Sequence, residues 1–280
     1  MTQSYLRAEI SKAAIRENLR LLRSCLTPSV QLCVPVKCNA YGHGMRQVFE
    51  LIAQEADCLA VATPVEALEL RGMGYDGPLL LFFAAGGKTE LVDVPALLEE
   101  LLRQRVIITC TSLTEVDALT TAAVQTGLEA AIHVKVDTGM TRSGVLVSEA
   151  GLLVERIRSE PHLRLTGIYT HLACADEKDK SSAYGQLARF DEIMTSCGIV
   201  PGDGIIRHAA NSAGVIDLPE SHYDMVRPGI SVYGYQPGDE MKRILPLRPC
   251  LRLIAPIVQL RTVPAGERCG YGLTHTFSRP

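Results

Sequence analysis

The chain has 280 residues, 47% of them apolar and 21% charged, with a formal net charge of −3. That is long enough for one large domain, or one such domain and part of another, and it excludes wholesale disorder. With no basic run there is no electrostatic footprint for nucleic acid or an anionic membrane, so a small-molecule ligand is expected. The longest apolar stretch, Pro78 to Ala85, is far short of a membrane span, and the N-terminus lacks a signal-peptide pattern. Nine cysteines without a C-x-x-C pair read as reduced thiols, so a cytoplasmic location is expected, with neither a metal site nor a disulfide framework.

A short strand over Tyr5 to Ile10 comes first. Ser11 then caps a helix whose apolar face is Ala14, Ile15, Leu19 and Leu22. Leu32 to Val36 reads as a buried strand that stops at Lys37, and a helical pattern resumes at Met45 after a glycine-rich turn. The alternation continues with strands at Cys58 to Ala62, Pro78 to Phe83, Val106 to Cys110 and Ala130 to Val136. The helices between and after them are Pro64 to Arg71, Pro95 to Gln104, Leu113 to Gln125 and Ser148 to Ser159. Then follow a strand at Leu163 to Thr170, a helix at Ser182 to Cys197, a strand at Gly204 to Ala209 and a last strand at Met225 to Tyr233.

Short strands alternating with helices indicate βαβ units and a parallel sheet. Roughly eight units fit between residues 30 and 235, which favours a (β/α)8 barrel of the TIM type over an open flavodoxin-like sheet. Near Pro237 the texture changes. Leu251 to Val263 reads as strand with no helix after it, and Gly266 to Gly272 as a turn-rich hairpin candidate. The expected division is a barrel over 1–240 followed by the start of a smaller all-β domain over 241–280, too short to bury a stable core unaided.

In such a barrel, functional groups sit at the carboxyl ends of the strands. Lys37 is there with a hydrophobic wall behind it, where desolvation makes an amine a nucleophile suited to Schiff-base chemistry. By itself it also fits a lysine whose stem lies along apolar surface. Lys135 and Asp137 alternate on one strand face, with Arg142 in the following loop, where a guanidinium can bind a carboxylate in bidentate fashion. His171, Ser212 and Arg227 close or follow later strands.

The segments VPVKCNAYGHG at Lys37, KVDTGMTRSG at Lys135, YTHLACAD at His171, HAANSA at Ser212, MVRPGISVYG at Arg227 and GERCGYG at Tyr271 together resemble the alanine racemases, in that family's order. The resemblance implies a pyridoxal 5'-phosphate enzyme that interconverts L- and D-alanine in the cytoplasm and supplies D-alanine for peptidoglycan. It implies cofactor contacts at Lys37, Tyr41, His171, Asn211, Ser212, Arg227, Gly229 and Ile230. It assigns the substrate carboxylate to Arg142 and marks Lys135 as a possible carbamate whose negative charge would hold Arg142.

Racemisation needs a base on each face of the α-carbon. The resemblance gives these roles to Lys37 and to Tyr271, the latter acting in the site of a homodimer partner. It also implies that family members continue beyond Pro280, so that this chain corresponds to a C-terminally truncated form. A serine racemase of the same class, a non-catalytic cofactor-binding protein and a barrel enzyme without the cofactor are the competing readings.

Overall fold

The computed structural model describes residues 6–83 and 94–280. Tyr5 of the expected first strand, and Ala84 and Ala85 of the longest apolar stretch, lie outside the described residues. Eight strands form one parallel path in the order β10-β2-β3-β4-β5-β6-β8-β9. In chain order these are β2 (Gln31–Pro35), β3 (Cys58–Val61), β4 (Leu79–Leu81), β5 (Ile107–Cys110), β6 (Ala130–Asp137), β8 (Leu163–Tyr169), β9 (Ile206–His208) and β10 (Met225–Val226). The two-residue β7 (Val145–Leu146) adds to β6 off this path.

The ends of the path meet. Asp224 N donates to Arg207 O at 3.0 Å and Arg227 N to Ala210 O at 2.9 Å, on either side of β9 and β10. The Arg207 guanidinium grips Asp224 through Nε and a terminal nitrogen at 2.7 and 2.8 Å. The expected (β/α)8 barrel is therefore present and nearly closed.

Helices follow most strands because the sequence alternates in period. In the helix Lys12–Arg23, Ser11 Oγ accepts from Ala14 N at 3.2 Å. The predicted apolar face, Ala14, Ile15, Leu19 and Leu22, is at most 5% exposed; each of the larger three contributes about 1.5–3 kcal/mol by burial. The helix Pro64–Gly72 starts with a capping box between Thr63 and Glu66. Inside the barrel, Cys33, Cys58, Ala60, Leu80 and Met225 form a packed cluster. Among the described residues no helix is long and apolar enough to cross a membrane.

Two expectations need correction. The last barrel strand ends at Val226 rather than Tyr233, and a 3-10 turn covers Ile230–Tyr233. Pro228 has no N–H for a ladder, and the amides of Gly229 and Ser231 turn to Ser212 Oγ at 2.9 and 3.3 Å. In the C-terminal stretch, strand pairing stops at Ile254, two residues before Pro256. The hairpin pairs β12 (Arg268–Cys269) with β13 (His275–Thr276), so its reversal lies at Tyr271–Leu273.

The chain divides into two compact units, Ser11–Cys250 and, together, Met1–Ile10 with Leu251–Pro280. The division differs from 1–240 and 241–280 for a local reason. Strand β1 (Arg7–Ile10) pairs antiparallel with β11 (Leu251–Ile254), Arg7 opposite Ile254, and so joins the smaller unit. Residues up to Cys250 stay with the barrel through Asn18, which is fully buried. Its amide accepts from Arg248 N and donates to Arg248 O, both at 2.9 Å.

Candidate active site

The carboxyl ends of the barrel strands surround a cavity of about 380 Å³, within the range of small-molecule and cofactor sites. Ten of the residues singled out in the sequence line it: Lys37, Tyr41, Lys135, Arg142, His171, Asn211, Ser212, Arg227, Gly229 and Ile230. Tyr271 belongs to the smaller unit, where it is fully exposed.

Lys37 follows β2 and opens one left-handed turn. Cys38, Asn39, Ala40 and Tyr41 all have φ between 52° and 55°, a conformation that costs non-glycine residues roughly 1–2 kcal/mol each. The sequence suggested a turn supplied by glycines; instead Gly42 and Gly44 only end it. The turn sets Tyr41 against Tyr233, ring centroids 4.9 Å apart, and Tyr233 OH donates to Pro35 O at 3.0 Å. Lys37 Nζ lies 5.7 Å from the Tyr41 ring centroid. Burial pushes the Tyr41 phenol up to about 12, so at neutral pH it stays an O–H donor. Gly229 is required by close approach, since a Cβ there would lie 2.3 Å from the Tyr41 oxygen.

Arg227, 3% exposed, is a buried cation with no ion pair among the described residues. It donates to His208 Nδ1 at 2.8 Å, Thr170 O at 2.7 Å, Ala209 O at 3.2 Å and His171 Nδ1 at 3.4 Å. Burial lowers it to about 10, which leaves it protonated at neutral pH.

The donors fix the histidine tautomers. Burial, with the Arg227 charge, holds His171 and His208 well below 6.5, so both are neutral. Because arginine can only donate, His208 Nδ1 is bare and its proton sits on Nε2, which donates to His133 Nδ1 at 2.9 Å. His133, held at about 3 by burial and then by Arg227, carries its own proton on Nε2, a buried atom with no partner. All the partners of Arg227 are thus neutral acceptors, and its charge remains for a ligand.

Lys135, 4% exposed, donates to Ser143 Oγ. Burial, then Arg142 and Arg227, brings it down to about 8. Asp137 does not pair with it; its Oδ1 accepts from Gly139 N and Thr141 N, each at 3.0 Å. Four cations line the cavity, Lys37, Lys135, Arg142 and Arg227, against the single carboxylate of Asp176. An anionic ligand fits this balance. Ser212 Oγ already accepts two backbone N–H bonds, so its own O–H is available to donate.

Sequence reasoning missed His133, His208 and the ring of Tyr169, which stacks on His208 at 4.6 Å. The trace in the sequence is Gly167 inside β8, where a Cβ would lie 2.5 Å from the His133 ring. A glycine within a strand marks such a close approach.

Barrel and site together define a (β/α)8 enzyme with a lysine in a cavity of cationic lining. The chain matches the family described as "Alanine racemase, N-terminal domain" over residues 10–237. It is 35% identical to the alanine racemase of Desulfosudis oleivorans, over 98% of this chain and 71% of that protein. With that of Methanococcus maripaludis the identity is 37%, over 95% and 70%. The structure of alanine racemase from Clostridium difficile 630 matches with a TM-score of 0.87 at 31% identity, over 100% of this chain and 72% of that one. The chain belongs to the alanine racemase family, enzymes of the isomerase class.

Proposed function

We propose that this chain racemises alanine with pyridoxal 5'-phosphate held in the 11–250 unit, and that it does so as a cytoplasmic homodimer supplying D-alanine for peptidoglycan. The observation that carries the reading is the pairing of Lys37 with a buried, unneutralised Arg227 in a cavity of strongly cationic lining. Pyridoxal phosphate, when bound, draws electrons from the substrate and so acidifies its α-C–H.

The residues of this chain would do the rest. Lys37 would be the attachment point that holds the cofactor, and its amine would move a proton at one face of the α-carbon. Tyr41 O–H, Ser212 O–H, Asn211 and the backbone at Gly229 and Ile230 would hold the phosphate. Arg227 would donate to the ring nitrogen; since a guanidinium keeps its proton, that nitrogen would stay unprotonated. The bound group would then be a weaker electron sink than one with a protonated ring nitrogen. His171 would keep Arg227 oriented, and Arg142 would take the substrate carboxylate. Tyr271 of a partner copy would hold the proton on the opposite face.

The test is chiral analysis of L-alanine incubated with the chain and added cofactor, with L-serine in parallel. Accumulation of D-alanine toward an equal mixture is expected, with D-serine forming more slowly. A folded chain that gives neither turnover nor a visible lysine-linked absorbance would reject the reading.

Lys135 belongs to the same proposal. With its value near 8, far more of its amine is neutral at physiological pH than for an exposed lysine. A neutral amine adds to carbon dioxide, forming the N–C bond and releasing one proton, and the resulting carbamate anion would attract Arg142 where an ammonium repels it. In 13C-bicarbonate, a carbamate carbon resonance is expected that disappears in Lys135→Met. A spectrum without it would remove the modification.

A further inference from the structure

We infer that Glu66, on the neighbouring βα unit, is a positioning residue for Lys37, acting through the backbone amide of Cys38; this rests on the role proposed for Lys37. Cys38 N donates to Glu66 Oε1 at 2.6 Å. The other carboxylate oxygen accepts from Ala62 N at 2.8 Å and Thr63 N at 3.0 Å. A helix cap alone uses one oxygen of a glutamate at this position. Here the same side chain spans two βα units, with one oxygen on its own helix start and one on the residue that follows Lys37.

The target is the weakest point of the neighbouring turn. Four successive residues with positive φ, Cys38 to Tyr41, persist only where the surroundings over-determine them. Later amides of the turn have local acceptors: Ala40 N bonds Val36 O at 2.8 Å, Gly42 N bonds Cys38 O at 3.0 Å and Gly44 N bonds Asn39 O at 2.9 Å. Cys38 N, where the left-handed run begins, has Glu66 instead. A charged acceptor at short range makes this one of the stronger bonds of the turn.

The platform beneath is rigid. β2 and β3 pair in register, Pro35 opposite Ala60, and Val36 N donates to Ala60 O at 2.8 Å. Glu66 therefore fixes the direction in which the chain leaves β2, and with it the path of the Lys37 side chain into the cavity.

Glu66→Ala, Glu66→Gln and Thr63→Ala separate this role from helix capping. Thr63→Ala removes the Thr63 Oγ to Glu66 N bond at 3.3 Å and leaves the Cys38 bond in place. Amide hydrogen exchange at Cys38, read on the cofactor-free chain, should quicken at least tenfold in Glu66→Ala. It should quicken less in Glu66→Gln, which keeps one acceptor oxygen, and not at all in Thr63→Ala. With cofactor added, formation of the Lys37-linked absorbance should slow and kcat should fall tenfold or more in Glu66→Ala, with little change in KM.

Equal Cys38 protection in wild type and Glu66→Ala would overturn the inference, and so would equal effects of Glu66→Ala and Thr63→Ala. A wild-type chain that forms no Lys37-linked absorbance would count against the proposed role of Lys37, while the exchange comparison would still decide whether Glu66 anchors the turn.

Discussion

Lys37→Ala should abolish racemisation and remove the visible lysine-linked absorbance, whereas Tyr271→Phe should abolish racemisation and leave that absorbance intact. The asymmetry follows from the two proposed roles. Lys37 opens the left-handed turn at the end of β2 and lines the cationic cavity, so its removal takes away both the attachment point and a proton carrier. Tyr271 lies in the smaller unit, and its loss would remove one proton carrier only. Loss of a positioned acid or base costs about 10²–10⁴ in rate.

A further readout separates the two faces. In deuterated water, Tyr271→Phe should still exchange the α-proton of one enantiomer through Lys37 while racemisation fails; Lys37→Ala should exchange neither. Turnover retained in Lys37→Ala would remove Lys37 from the chemistry. Exchange of both enantiomers in Tyr271→Phe would mean that another group serves the second face.

The parts of the chain that alternate cleanly in period were legible from residues alone. Strands β3, β4, β5, β8 and β9 fall within the expected stretches, and β2 and β6 overrun theirs by one residue each, at Gln31 and Asp137, because each is a short apolar run flanked by a helix with one apolar stripe. Where legibility failed, the deciding interactions were non-local. β10 ends after two residues because Ser212, which follows the preceding strand β9, claims the amides of Gly229 and Ser231.

The chain after Cys250 lost its expected long strand because its partner is a four-residue strand, Arg7–Ile10, at the opposite end of the sequence. The same holds for the site. Lys37, Arg142 and Arg227 stand out as charges at strand ends. The His133–His208 pair and the Glu66 contact join residues 75 and 28 positions apart, and no local pattern reports them.

Asp217→Asn is the substitution outside the cavity expected to cost most, on the order of 3 kcal/mol, because it strands a buried cation. Lys180 Nζ sits 2.9 Å from Asp217 Oδ2, with both side chains 6% exposed. The ammonium also donates to Ala175 O at 2.6 Å, and the carboxylate accepts from Lys242 N and Arg243 N at 3.1 and 3.0 Å. A loss of that size lowers the melting midpoint by roughly 5 °C in a chain of this length. The double variant Lys180→Met with Asp217→Leu should lose less than either single change, since it leaves no unpaired charge.

The sign of the pH dependence is fixed. Burial opposes ionisation of Asp217, but Lys180 and the two amides outweigh it and hold the acid below 3.8. A depressed acid contributes stability that is full above its unfolded value and lost as pH falls through its folded one. The gap between wild type and Asp217→Asn should therefore stay level down to about pH 5 and close below 3.8; a gap that is constant through that range would reject the ion pair as its source. Function should follow the same link. Ala175 precedes Asp176, and Lys242 lies five residues beyond Pro237; Asp176 and Pro237 both line the cavity. Loosening the pair frees that wall, so KM for alanine should rise more than kcat falls.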